Sequence, residues 1–252
     1  MAKATTERDE ATAARLEAAL DTLALACRIL EMEGHASRTL GHAAMRDPEG
    51  RGFWLKRWGI SFGEVREAGD FILLDFDGRV RAGEGRRHSE WPIHAEILKA
   101  RPDVEVTVHS HPFHGRIFSA SDEPLRAVSS AGSWFPAPPP RYEATSELVR
   151  TPERGRALAG CLGDHFAVFL RNHGVVFCGR SIAHATLIGI QLEEACREQL
   201  LIGASGLAWS WPGDEERARR FGAAGKADSL DQYFDYFSRK LAWREKSDGP
   251  YV

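Results

Sequence analysis

The segment Val104-Glu105-Val106-Thr107-Val108-His109-Ser110-His111 is an apolar run that ends in two histidines. Its length and its valine-rich composition predict a buried strand over residues 104–108. Side chains two positions apart on a strand share one face and lie about 6–7 Å apart. We therefore expect His109 and His111 to point to the same side, where both imidazoles could reach a common ion.

Two further apolar runs, residues 166–170 and 175–178, flank the turn Asn172-His173-Gly174. Asn and Gly favour tight turns, so these runs are predicted to form two buried strands of one hairpin. Such a turn would hold His173 at the end of a sheet. Other strands are predicted over residues 52–55 and 71–75, and the latter is followed by the hairpin signal Asp77-Gly78.

Apolar residues at helical spacing predict helices between these strands. A first helix is expected over residues 10–33, ahead of Gly34, and another is expected to begin at Thr151 with Pro152 in its first turn. Helices are also predicted over residues 90–100, 181–202 and 229–245, the last with a capping box of Ser229 and Gln232. Residues 35–52 and 129–140 are expected to be irregular. This order predicts an α/β or α+β layer fold with a mainly antiparallel or mixed sheet.

The bulk composition narrows the class of protein. The chain has 252 residues, 43% of them hydrophobic and 27% charged, and a formal net charge of -3, which disfavours general nucleic-acid binding. It has neither an apolar run of membrane-spanning length nor an N-terminal apolar segment typical of a signal peptide, so we expect no membrane association. Four scattered cysteines without a CxxC motif predict reduced thiols and a cytoplasmic protein; they are Cys27, Cys161, Cys178 and Cys196.

Three histidines in this arrangement predict a metal site, because imidazoles bind Zn²⁺, Fe²⁺, Mn²⁺ or Co²⁺ and can leave coordination positions open to substrate. The alternative is that His109, His111 and His173 are core or surface histidines. Glu90, in Ser89-Glu90-Trp91-Pro92-Ile93-His94, has three candidate roles. It could be a fourth ligand, a general acid/base, or a helix N-terminal carboxylate that stabilises the helix dipole.

Together these motifs resemble the class II aldolase/adducin family, typified by bacterial fuculose-phosphate aldolases and ribulose-phosphate epimerases. The resemblance extends from the first helix to about Gln199 and rests on residues 89–94, 101–111 and 171–175. It implies that His109, His111 and His173 are metal ligands and that Glu90 is the catalytic carboxylate. It also implies one three-layer α/β/α domain over residues 1–252, a central mostly antiparallel sheet with helices on both faces, and a C-terminal helical extension from about residue 205. The resemblance further implies a homo-oligomer, with a tetramer favoured.

The chain departs from the sugar-phosphate members where they bind phosphate. Their Gly-Asn-x-Ser segment corresponds to Gly41-His42-Ala43-Ala44 here, and Trp58 stands in place of a small hydroxyl residue. Loss of these donors argues against a phosphate cradle. An arginine or lysine could instead hold a carboxylate, and the candidates near this region are Arg38, Arg46, Lys56, Arg57, Arg86 and Arg87. The candidate substrate-binding residues are His42, Arg57, Trp58, His94, His114 and Tyr142.

These features favour a metal-dependent carbon–carbon lyase with one divalent ion per subunit. The pattern is most similar to the family branch that decarboxylates dihydroxylated aromatic acids such as 3,4-dihydroxyphthalate. A metal would stabilise the enolate-type charge that carbon–carbon cleavage leaves behind, and Glu90 would supply the proton. Three alternatives stay open: an aldolase that cleaves a sugar-like substrate, a non-haem iron oxygenase, and a non-catalytic adducin-like binding module.

Overall fold

An eight-stranded sheet organises the chain, whose computed structural model describes residues 2–224 and 227–248. The strands are β1 (His42–Arg46), β2 (Phe53–Lys56), β3 (Phe71–Leu74), β4 (Val80–Ala82), β5 (Val106–Ser110), β6 (Arg141–Tyr142), β7 (Ala167–Leu170) and β8 (Gly174–Gly179). Their spatial order is β4-β3-β2-β1-β5-β8-β7-β6. Neighbouring strands pair antiparallel, except that β6 and β7 are parallel, so the sheet is mostly antiparallel as predicted.

Helices cover both faces of this sheet. They are α1 (Ala2–Met32), α2 (Trp91–Ala100), α3 (Phe113–Phe118), α4 (Pro152–Leu162), α5 (Ile182–Ala204), α6 (Asp214–Ala224) and α7 (Ala227–Asp248). One apolar core joins the sheet to α1, α5 and α7, and a second joins the opposite face to α2 and α4. Burial of these apolar faces is the main stabilising contribution to a layered fold. The three-layer α/β/α architecture is therefore confirmed.

Local sequence signals set several helix ends as predicted. Gly34 has φ +88° and closes α1, where the backbone N–H of His35 donates to Leu30 O and that of Gly34 donates to Glu31 O. These two bonds satisfy carbonyls that the end of a helix leaves unpaired. Thr151 caps α4 by accepting from the backbone N–H of Arg154, with Pro152 following it.

Several elements differ from the predictions. Helix α1 begins at Ala2 rather than at residue 10, because its polar first turns contain alanine and glutamate but neither glycine nor proline. Strand β5 runs two residues further than expected and includes His109. Ser229 lies inside α7, so the predicted capping box is wrong. Helices α3 and α6 were not predicted; α3 is only six residues long, too short to show a periodic pattern.

The most consequential correction concerns β1, which lies within residues 35–52 where an irregular segment was expected. Its sequence His-Ala-Ala-Met-Arg has low strand propensity, so local pattern gave no signal. Strand β1 nevertheless occupies the middle of the sheet between β2 and β5, and burial on both faces outweighs propensity there. This placement sets His42 directly opposite His109.

Among the residues that the structure describes, no helix is both long and apolar enough to cross a membrane.

Candidate metal centre

Three histidines meet where β5 ends and β8 begins. The antiparallel register pairs Ser110 with Val175, so His111, just after β5, lies beside His173, just before β8. One ring nitrogen from each of His109, His111 and His173 lies within 4.8 Å of the other two. The sheet therefore brings together the three residues that the sequence singled out, at a separation suited to a shared ion.

The hydrogen bonding of His109 selects the tautomer that suits a metal ligand. Its Nδ1 lies 2.9 Å from the carbonyl oxygen of Val175, so Nδ1–H donates and Nε2 carries the lone pair. Nε2 of His109 and Nδ1 of His111 are both buried without a hydrogen-bond partner. A buried polar atom without a partner costs about 1–3 kcal/mol. A divalent cation would satisfy both nitrogens, so this donor set fits a metal ion.

Burial keeps these imidazoles neutral, which is the form that binds metals. Desolvation, followed by the charges of His111 and His173, lowers the pKa of His109 well below its usual range. Desolvation also lowers the pKa of His111 to about 4 and lowers that of His173. At neutral pH the three side chains would offer uncharged nitrogen ligands without first releasing protons.

Glu90 faces the same cluster from the start of α2. Its Oε1 accepts from the backbone N–H of Val149 at 3.0 Å, and its Oε2 lies 3.7 Å from Nε2 of His109. Glu90 is the N-cap residue of α2, and its side chain forms no capping hydrogen bond to that helix. Burial raises the pKa of Glu90, which helps a carboxyl group to hold a proton near neutrality.

A chain of buried hydrogen bonds extends from this cluster into the sheet. Nδ1 of His42 lies 2.6 Å from Nε2 of His94, and Nδ1 of His94 lies 2.6 Å from Oγ1 of Thr107. One nitrogen of His42 also lies within 4.8 Å of ligand atoms of both Glu90 and His109. The structure thus brings His42 and His94, two predicted substrate-binding residues, to the side of the centre, with His94 behind His42.

The other four predicted substrate-binding residues have partners elsewhere. His114 contacts the carboxylate of Glu193 at 2.8 Å through its ring Nδ1. Arg57 pairs with Asp70, and the half-exposed Trp58 lies under the guanidinium of Arg86. Tyr142 is buried in the core on the α2 and α4 face. These four residues therefore contact groups outside the histidine cluster.

Sequence reasoning missed two residues beside the centre. The His88 ring lies 4.4 Å from that of His42, and Nε2 of His88 is buried without a partner. Its position two residues before Glu90 was a usable signal. Nδ1 of His35 lies 2.9 Å from Oγ of Ser110, between the two histidines of the His-x-His motif. No local pattern indicated that contact, because it joins residues 75 positions apart.

An apolar cavity among the described residues lies away from this centre. It has a volume of about 800 Å³, and Trp134, Leu187 and Phe237 are among its lining residues. It contains no cluster of histidines, whereas the small histidine cluster combines unpaired nitrogens with a carboxyl group of raised pKa. Perturbed titratable groups that converge on one point are the stronger indication of a reactive site.

Residues 21–200 match the Class II Aldolase and Adducin N-terminal domain family. The chain belongs to this family. It is similar to the 3,4-dihydroxyphthalate decarboxylase of Arthrobacter keyseri, with 29% identity over 245 residues that cover 90% of this chain and 92% of that protein. It is 32% identical over 181 residues to the decarboxylase NovR of Streptomyces niveus, which covers 70% of this chain and 66% of that protein.

Two further similarities broaden the range of relatives. A 4-hydroxy-3-prenylphenylpyruvate oxygenase/4-hydroxy-3-prenylbenzoate synthase of Streptomyces roseochromogenus subsp. oscitans is 32% identical over 180 residues, which cover 70% of this chain and 65% of that protein. The solved structure of the L-fuculose 1-phosphate aldolase from Glaciozyma antarctica superposes with a TM-score of 0.82 at 27% identity, covering 94% of this chain and 93% of that one. Decarboxylases and an aldolase among these relatives support the prediction that the chain is a lyase.

Proposed function

We propose that the chain is a metal-dependent decarboxylase of an unphosphorylated, hydroxylated aromatic carboxylic acid. The observation that carries this proposal is the pair of buried, unpartnered nitrogens on His109 and His111. Nε2 of His109 lies 3.7 Å from Oε2 of Glu90, and burial raises the pKa of that carboxyl group. Unpaired ligand atoms beside a proton-holding group are what a metal-assisted cleavage with protonation of carbon requires.

Each residue then has a defined task. His109, His111 and His173 hold one divalent ion, and the carbonyl of Val175 keeps Nε2 of His109 free for it. A divalent ion in this position supplies an electron sink for the charge that develops when a carbon–carbon bond breaks. Glu90 delivers a proton from Oε2 to the carbon that loses CO₂, while Val149 holds its other oxygen.

The surroundings of His42 support an unphosphorylated substrate. His42 stands where sugar-phosphate enzymes carry the asparagine of a phosphate-binding segment, and here its ring is hydrogen-bonded to His94. Ala44, two residues later, is fully buried and has no hydroxyl group to donate. A phosphate needs convergent N–H and hydroxyl donors, so this stretch suits a substrate without one.

Elemental analysis of the purified protein, followed by CO₂ release from a panel of hydroxylated aromatic acids, tests the proposal. We expect near-stoichiometric divalent metal in the wild type and its loss in His111→Ala. His165→Ala is the matched control, because His165 is also partly buried but lies outside the histidine cluster. Metal-dependent CO₂ release in the wild type and the control would support the decarboxylase. A protein that binds metal but releases no CO₂ from any acid of the panel would refute it.

Two other activities have specific support. The fold similarity to an L-fuculose 1-phosphate aldolase favours an aldolase, which would cleave hydroxy-carbonyl substrates without releasing CO₂. The similarity to an oxygenase favours iron chemistry, which would require both Fe²⁺ and O₂. Assays with aldol substrates, and the same assays under argon, separate these outcomes. A protein that binds no metal would favour the adducin-like binding module.

We also propose that the chain forms a homo-oligomer built from one domain with a C-terminal helical extension. Helices α6 and α7 follow the part of the chain that matches the family domain. Helix α7 exposes large aromatic side chains, including Tyr236 and Trp243, the latter 70% exposed. Such surfaces are typical of protein–protein contacts. The molecular mass in solution, measured by light scattering, tests whether the protein is a tetramer.

A further inference from the structure

The six cationic side chains that the sequence suggested for carboxylate binding differ in whether they have partners within the chain. Five of the six cations singled out from the sequence are occupied within the chain. Arg46 and Lys56 donate to backbone carbonyls, Arg57 pairs with a carboxylate, and Arg86 and Arg87 stack on tryptophan rings. Among residues 2–224 and 227–248, Arg38 is the one member of that set whose side chain has no hydrogen bond, ion pair or cation–π contact.

The loop that carries Arg38 is anchored beside the histidine cluster. Three residues before it, the buried His35 contacts Ser110 between the two histidines of β5. Arg38 itself has φ +56°, a left-handed conformation that costs a residue with a Cβ about 1–2 kcal/mol. Strain of this kind persists where the surrounding structure imposes it, and it is concentrated at binding sites.

A second arginine, Arg116, also has no side-chain partner among the described residues. Arg116 is in α3, the short helix that begins directly after His111-Pro112, and its backbone N–H donates to Pro112 O. Its guanidinium is exposed and has no carboxylate partner in the described part of the chain. Both arginines therefore lie on segments that adjoin His111, because the loop of Arg38 is anchored at Ser110 and the helix of Arg116 follows His111-Pro112.

The carboxylates that could neutralise these cations are already engaged. Glu193 on α5 accepts from His114 and from the backbone N–H of Gly115. Asp122 is paired with Arg171, next to the turn that carries His173. Neither Arg38 nor Arg116 therefore has a carboxylate partner in the described part of the chain.

We propose that Arg38 and Arg116 hold a second, non-reacting carboxylate of the substrate beside the metal centre, so that the protein selects aromatic 1,2-dicarboxylates over monocarboxylates. This inference rests on the decarboxylase function proposed above. Two exposed guanidiniums without partners bind a carboxylate strongly, because charge-assisted hydrogen bonds form without breaking existing pairs.

The chemistry of decarboxylation indicates that the arginines hold the retained carboxylate and not the departing one. When the carbon–carbon bond breaks, the electron pair stays on the ring carbon, which takes a proton from Glu90, and the carboxylate leaves as neutral CO₂. An arginine bound to the departing group would lose its ion pair in the transition state and would slow the reaction. A retained carboxylate keeps its charge throughout, so binding it lowers KM without changing kcat.

Binding of three probes tests the proposal: phthalate, benzoate and inorganic phosphate, measured by calorimetry with both metal-free and zinc-loaded protein. We expect phthalate to bind more tightly than benzoate or phosphate. Arg38→Gln and Arg116→Gln should each weaken phthalate binding about tenfold or more and benzoate binding much less. Arg79→Gln, an exposed arginine on the β3–β4 turn, is the remote control, and Arg150→Gln, whose charge acts on Glu90 instead, is the near control.

Two further measurements separate binding from folding. Arg38→Gly relieves the left-handed strain, so it should leave Tm unchanged or raise it while still weakening phthalate binding. In turnover of a dihydroxyphthalate, Arg38→Gln and Arg116→Gln should raise KM about tenfold and leave kcat within about threefold. A merely structural role would lower Tm and kcat together.

Equal affinity for phthalate and benzoate in the wild type would overturn the inference, as would phosphate binding as tight as phthalate binding. Unchanged phthalate binding in both arginine variants would overturn it too. If metal binds and monocarboxylates are decarboxylated equally well, the arginine assignment fails while the proposed function stands. If no acid is decarboxylated, the proposed function fails, and the phthalate titration of metal-free protein still decides the role of the two arginines.

Discussion

Replacement of Glu90 by Gln and by Ala should separate its chemical role from its structural one. The buried backbone N–H of Val149 donates to Oε1 of Glu90 at 3.0 Å. An amide oxygen in Glu90→Gln can accept the same bond, and the amide N–H₂ faces the unpartnered Nε2 of His109. The glutamine variant also removes a carboxyl group that burial disfavours in its charged form, so we expect it to be at least as stable as the wild type.

Glu90→Ala leaves the buried Val149 N–H without an acceptor. The expected loss in the free energy of unfolding is about 1–3 kcal/mol, the cost of one unsatisfied buried donor. Urea unfolding of the two variants beside the wild type measures the difference. If Glu90→Gln stays stable and Glu90→Ala is destabilised while both lose activity to a similar extent, the carboxyl proton is the feature that catalysis needs.

Activity gives the decisive readout. Loss of a general acid lowers the rate by about 10²–10⁴-fold, so both variants should release CO₂ at a rate reduced to that extent. Glu96→Gln is the matched control: Glu96 is a buried glutamate on the same helix, paired with Lys99, and its replacement should leave the rate unchanged. Metal content should persist in Glu90→Gln because three histidines remain. A rate within fivefold of the wild type in Glu90→Gln would refute the assignment, and loss of metal would make Glu90 a ligand instead.

Three other predictions follow from individual contacts. Burial lowers the pKa of His184 to about 4, so the folded protein favours the neutral ring and loses stability when the ring is protonated. The free energy of unfolding should fall by up to about 3 kcal/mol as the pH falls from 6.5 to 4. Urea unfolding of His184→Gln across this range should show a smaller fall than that of the wild type. A Cβ on Gly174 would lie 2.6 Å from the carbonyl oxygen of Ser110 and 2.8 Å from Cδ2 of His111. Gly174→Ala should therefore lower the metal content while circular dichroism still reports a folded chain, and full metal occupancy would contradict this geometry. Gly160 lies in α4 with open space around its Cα, so Gly160→Ala should raise the free energy of unfolding by about 0.5–1 kcal/mol; an unchanged or lower value in urea would argue against it.

Much of the site was readable from local sequence. The His-x-His run, the turn with His173 and the segment around Glu90 each combine a reactive residue with a strong local structural signal. Helix ends are likewise set by neighbouring residues. Gly34 and Thr151 form short-range hydrogen bonds there, and Pro152 occupies the first helical position. The predictions of helix ends were confirmed because their physical cause lies within a few residues of its effect.

Other features depend on contacts between distant parts of the chain. Strand β1 has an alanine-rich sequence with little strand propensity, and its pairing with β5 creates it. That pairing sets His42 opposite His109, and the packing of α2 against β5 completes the bonds from His42 through His94 to Thr107. No local pattern encodes which strand will lie beside which, because register follows from burial of whole faces of the sheet.

The tertiary structure also decided which charged side chains have partners. From sequence alone, six cations near the centre were equal candidates for binding a carboxylate. Folding paired or stacked five of them and left Arg38 without a side-chain partner, and it also left Arg116 unpaired on a helix too short to predict. The residue types and their order therefore specify the available chemistry, a candidate metal site with a carboxyl group beside it. Long-range packing specifies which of those groups remain unsatisfied, and unsatisfied groups are the ones that bind.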